Sequence, residues 1–269
     1  MTGRLRTIAF GLGLWLALTA VLVFILLPII AVFTTAGPAA LIDAFGRPEA
    51  RSALAVSLRS AMIAIVVIIA VGTPAAYLLA RGEVPGRSAL VAIIELPIVL
   101  PPAVAGIGLL AALGPRGPVG GALIDAGLTL PLSETAVVIA MVFVAAPLFI
   151  RQAVSAFAAV DRRLGAVSTT LGVSEARFAA RVAVPLAMPG LASGTSLALG
   201  RALGEFGATL LFAGAVRGVT ETLPVAILST FGTDFEAALA MGAFLIIVSA
   251  SLLLGVKILE GWFAPSPVR

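Results

Sequence analysis

Sorted into apolar and polar positions, the chain is a series of long oily runs joined by short polar stretches. A helix that crosses a bilayer needs roughly 20 apolar residues. Six runs meet that length and predict helices over residues 8–33, 53–80, 89–112, 135–158, 184–213 and 238–260. Each run is continuous rather than alternating, which is not the two-residue repeat of a membrane β-barrel strand. The pattern predicts an all-α integral membrane fold with six transmembrane helices. The first run exceeds 20 residues, which suits a span better than the 7–15-residue apolar core of a cleavable signal.

Composition strengthens this picture. The 269 residues are 61% hydrophobic and 11% charged, against about half and a quarter in soluble domains. No polar segment is long enough to fold outside the bilayer, so residues 1–269 are expected to form a single transmembrane domain.

Charge then sets the expected orientation. With six spans both termini share a side. That side carries Arg4, Arg6, Arg81, Arg87, Arg151, Arg162, Arg163, Arg177, Arg181, Lys257 and Arg269. The opposite loops carry only Arg47, Arg51, Arg116 and Arg217, and most of the acidic residues. Cytoplasmic loops are enriched in Arg and Lys, so both termini are expected in the cytoplasm.

Two spans are irregular. The third, 95-ELPIVLPPAVAGIGLL-110, holds Pro97, Pro101 and Pro102. Proline removes a donor and kinks a helix. The fifth carries Gly190 and Gly194, then Gly200 and Gly204, a spacing that lets helices approach closely.

The fifth span also contains 200-GRALGEFGATLLFAG-214, with Arg201 and Glu205 four residues apart. On one helix they share a face. A charge at mid-bilayer costs about 2.5–3.5 kcal/mol on insertion scales, so pairing or contact with water is required. Two readings stay open: an ion pair that holds helices together, or a gate element on a translocation pathway. Ser196 and Thr209 lie on neighbouring faces and complete the candidate pathway set.

Between the fourth and fifth spans, about 159–183, lies the most charged stretch. Leu164, Val167 and Leu171 fall at i, i+3 and i+7 and predict a short amphipathic helix. Gly172 is placed to end it as a C′ residue, Ser174 to cap a second short helix through Ala180, and Pro185 and Pro189 to mark the return to the membrane. An exposed helix pair of this kind suits docking into a groove of a partner protein.

There is no Cys and no His, which excludes thiolate and imidazole metal sites. No G-x-x-x-x-G-K-[ST] phosphate loop occurs. The only lysine, Lys257, follows Val256. No catalytic residue, metal site or cofactor is expected, and nothing points to nucleic acid. If ATP is used, another chain hydrolyses it.

The loop resembles the cytoplasmic "EAA" loop of ABC importer permeases. That pattern has a glycine, nine intervening residues and then an apolar–any–apolar–Pro string, matched here by Gly172 and by Val182, Ala183, Val184 and Pro185. It departs at the start, where Gly165 or Ala166 replaces the glutamate and Val167 and Ser168 replace the alanines. The strings 95-ELPIVLPPAVAGIGLL-110, 113-LGPRGPVG-120, GEFGAT and 221-ETLPVAI-227 resemble the molybdate/tungstate branch of that family. Sulfate and thiosulfate permeases, which usually carry Tyr at the position of Phe206, are less similar. The resemblance, over about residues 50–260, implies a type I importer permease in the cell inner or plasma membrane. It implies a homodimer, a separate ATP-binding subunit, and an extracytoplasmic oxyanion-binding protein. Leu164, Val167, Leu171, Gly172, Val182 and Pro185 would form the ATPase-coupling surface. A sulfate permease and a stand-alone secondary transporter are the alternatives. No pair of matching halves with broken helices at equivalent places supports the latter.

Overall fold

The computed structural model describes residues 2–82 and 84–263. Arg269, counted above toward orientation, lies outside the described residues. The described chain is helical throughout, with α1 (Thr2–Gly46), α2 (Pro48–Arg81), α3 (Arg87–Val99), α4 (Pro102–Leu113), α5 (Pro118–Asp125) and α6 (Glu134–Ala158) in its first part. The second part holds α7 (Arg162–Thr170), α8 (Glu175–Phe178), α9 (Val184–Leu203), α10 (Gly207–Ala213), α11 (Leu223–Phe231) and α12 (Phe235–Phe263). Five stretches are long and apolar enough to cross a membrane, and α3 with α4 makes a sixth when the bent pair is one span.

The helix ends follow from sequence. Pro48 opens α2 with Glu49 in its first turn, and Gly82 closes it in the left-handed region at φ 77°. Pro at N1 costs no donor, because the first N–H groups of a helix lack partners anyway. Ser133 caps α6 by accepting the Ala136 N–H, and Asp161 caps α7 by accepting that of Arg163 at 2.9 Å.

The prolines of the third span act as expected and more strongly. Pro101 and Pro102 separate α3 from α4, and the two axes differ by 112°. The predicted helix 89–112 is therefore two helices. A further correction concerns 184–213. The span begins earlier, at Glu175, and its regular helix ends at Leu203. Gly204, Glu205 and Phe206 form a break before α10. Pro185 stands in the first turn of α9 and Pro189 in its interior. Ahead of Pro185 the backbone widens into a π turn over Ala179–Ala183, with the Val184 N–H reaching Ala179 O. Proline cannot donate to the preceding turn and crowds its carbonyl, and this wider turn carries the helix through.

The main core lies where α6 packs between α2 and α9. Small residues make that possible. A Cβ at Gly190 would collide with Ala156, one at Gly194 would lie 3.2 Å from the Phe149 carbonyl, and one at Gly72 would lie 2.8 Å from the Phe149 ring. Gly200 and Gly204 have no such tight neighbour from another helix, so only the first glycine pair allows close approach. A second, smaller core joins α1, α2, α11 and α12 through Ala44, Ala53, Leu223, Met241 and Phe244. Arg47 fastens this end, with Nε 3.0 Å from Asp43 and Nη1 3.3 Å from Asp234.

Candidate functional site: the meeting of two interrupted helices

The two broken stretches meet. A Cβ on Gly106 of α4 would stand 2.9 Å from Ala208 Cα, and one on Gly207 would stand 2.8 Å from Pro102 Cβ. Glycine is needed at both places because backbone touches backbone. The start of α10 thus rests on the start of α4.

Glu205 organises this junction. It is fully buried. Its Oε1 accepts the Ala208 N–H at 2.7 Å, as a capping carboxylate does at a helix start. Its Oε2 lies 2.6 Å from Arg201 Nη1. That oxygen receives no directed hydrogen bond, so the contact is an ion pair whose N–H points off line. The Arg201 side chain is 30% exposed, so the pair presents a partly accessible cation backed by a hidden anion.

The sequence placed these two charges on one continuous helix. In the structure Arg201 is in the last turn of α9 and Glu205 is in the break beyond it. Thr209 is buried in α10, and its hydroxyl has no hydrogen-bond partner among the described residues. Ser196 is buried in α9. It lies five positions before Arg201, about 140° around a helix of 3.6 residues per turn. The structure brings Arg201 and Glu205 together, while the Thr209 hydroxyl lies buried without a hydrogen bond to either.

Sequence reasoning missed three parts of this end. The Arg59 guanidinium pairs with Glu134, to which Ser60 also donates at 3.4 Å. Ser57 accepts the Leu223 N–H at 2.7 Å, tying α11 to α2. The seat of Gly207 on Pro102 was hidden because a glycine gives no periodic signal.

At the opposite end, α7 has the predicted amphipathic form. Leu164, Val167 and Leu171 are 41%, 56% and 73% exposed, so its apolar face points outward and unburied. A Cβ on Gly165 would stand 3.9 Å from the Phe178 ring. The helix closes with a Schellman pattern: Val173 N–H to Ser168 O at 2.9 Å and Gly172 N–H to Thr169 O at 3.0 Å. Gly172 takes φ +70° as this requires. Ser174 holds the N-cap position of α8, but its side chain makes no capping bond. Val182 is half-buried and Pro185 exposed. Arg81 of α2 pairs with Glu175, and a cavity of about 530 Å³ opens behind α7, between Arg81, Asp161, Thr169 and Phe178.

A membrane bundle with two interrupted helices seated on each other, and an exposed amphipathic helix at one end, defines a transport component. Residues 69–268 match the family model described as binding-protein-dependent transport system inner membrane component. The chain belongs to that family and is a multi-pass membrane protein. It is 38% identical over 244 residues to the molybdenum transport system permease protein of Mycobacterium tuberculosis, covering 90% of this chain and 92% of that one. The corresponding Escherichia coli protein is 36% identical over 173 residues, 64% of this chain and 75% of that one. Among solved structures, a bacterial ABC transporter that imports the acidic polysaccharide alginate superposes with a TM-score of 0.76 at 17% identity, over 97% of this chain and 99% of that one. A methionine ABC transporter in an inward-facing conformation gives 0.59 at 17% identity, over 81% and 95%. At these identities the solved structures establish the fold alone.

Proposed function

We propose that this chain is the membrane-spanning subunit of an ABC importer that carries molybdate, or its close analogue tungstate, into the cell. The observation that carries the substrate is the 38% identity over 92% of a molybdenum transport permease. The observation that supports the mechanism is the exposed apolar face of α7 beside the left-handed Gly172.

In this reading the chain holds no ATPase site of its own and works as a homodimer. Both termini and the loop 159–183 face the cytoplasm. A separate ATPase dimer grips Leu164, Val167 and Leu171, with Gly172 setting the turn and Val182 and Pro185 transmitting motion into α9. Closing of the ATPase pulls the loop, reorients the spans and opens the pathway to a loaded extracytoplasmic oxyanion-binding protein. At the other end, Arg201 attracts the anion while Glu205 limits its hold. Ser196 and Thr209, both buried, stand behind the same stretch of pathway as candidate hydroxyls. A weak site suits conduction, since an ion must leave as readily as it enters.

The test is uptake of labelled molybdate in cells with and without the gene. Loss of uptake, competed by tungstate and not by sulfate, is expected. Lost sulfate uptake with molybdate uptake intact moves the chain to the sulfate branch.

A further inference from the structure

We infer that the cleft between α3 and α6, at the end of the bundle that carries α7, binds a tetrahedral oxyanion through Arg87 and Arg151, with Glu95 weakening the hold. The cleft has a volume of about 390 Å³ and is separate from the Arg201–Glu205 junction. Arg87 stands at the first position of α3, and its Nε donates to Leu79 O at 2.7 Å. That bond ties down one edge of the guanidinium and leaves its Nη donors for a ligand. Arg151 of α6 approaches Glu95 of α3 only to 3.8 Å. This is too long for a hydrogen bond, so attraction remains while the donors of the fork stay available. Two such forks facing one cleft match the geometry of an oxyanion, which guanidinium binds bidentately. Ser88 adds a hydroxyl, and Val91 and Ile150 form an apolar wall. Two cations against one carboxylate leave a single net positive charge, which gives a weak site.

Two sources share this chemistry. One is the transported oxyanion on its way off the chain, which rests on the molybdate reading. The other is the phosphate of a membrane phospholipid whose acyl chain lies on the apolar wall, which does not.

The experiment uses the full chain in phosphatidylcholine nanodiscs, with and without phosphatidylglycerol. Labelled molybdate is measured by equilibrium dialysis and retained phosphatidylglycerol by mass spectrometry, for the unaltered chain, Arg151→Ala and Glu95→Gln. Losing a charged donor costs roughly tenfold in affinity, so Arg151→Ala is expected to weaken one probe by about that factor. Glu95→Gln is expected to tighten the same probe, which a misfolded protein does not do. A response of molybdate identifies the free oxyanion as ligand, and a response of phosphatidylglycerol identifies the lipid. The site is overturned if neither probe moves in opposite directions for the two variants. Uptake by the unaltered chain reports on transport separately: lost uptake with a responsive probe sinks the molybdate reading alone, and intact uptake with silent probes sinks the site alone.

Discussion

Glu205 uses its two oxygens for different tasks, one holding the Ala208 N–H and the other facing Arg201. Hydrogen bonds to charged groups contribute about 1.5–3 kcal/mol, and removing one member of a buried ion pair strands the other. Glu205→Ala is therefore expected to destabilise the protein by about 2–3 kcal/mol, and Glu205→Gln, which keeps the acceptor for Ala208, by less. Thermal unfolding in detergent measures both, and equal losses would contradict a capping role. The i, i+4 spacing was enough to read the ion pair from sequence. It was not enough to read the break, because a fully apolar surround erases the polar signal that usually marks a helix end. The string Gly204–Glu205–Phe206–Gly207, two glycines around a carboxylate able to cap, was the available clue.

Among the elements, α7 shows how far local rules reach. Its period, its apolar stripe and its glycine stop were all legible, since each depends on neighbours within a few residues. Gly172, at φ +70°, has nothing within 4 Å of the place a Cβ would occupy, so a side chain there strains the backbone rather than colliding. Gly172→Val is expected to cost about 1–2 kcal/mol locally and to weaken ATPase association by more than it lowers Tm. Co-purification with the ATPase subunit measures this, and unchanged association would remove α7 from the coupling surface. The interrupted spans were harder to read. Three prolines announced that 89–112 was irregular, but the 112° bend depends on α10 receiving α4. That contact is distant in sequence and invisible to any local pattern.

For the whole molecule, charges bracket the bundle at membrane spacing. Arg181 and Arg201 are twenty residues apart on a helical stretch and Arg59 and Arg81 twenty-two, or about 30 and 33 Å at 1.5 Å per residue. A hydrocarbon layer is about 30 Å thick, so each of these stretches is long enough to cross it, and the Arg47 clasp joins the chain at the end away from α7. In that clasp the Ala237 N–H, against the effect of burial, and then Arg47, hold Asp234 below its ordinary carboxylate range. The hydrogen bonds that Arg47 donates to Asp43 and Asp234 hold it above its own ordinary value. A depressed carboxylate adds stability above its unfolded pKa and loses it as pH falls through the folded value. The clasp is thus expected to be complete at neutral pH and to loosen below about pH 4, with Asp234→Asn flattening that acid dependence in a melting series. The importer reading is tested most directly by transport in proteoliposomes holding this chain with its ATPase subunit. It predicts molybdate accumulation only when ATP and the binding protein are both supplied. Accumulation driven by an ion gradient, with no ATPase subunit present, would contradict it.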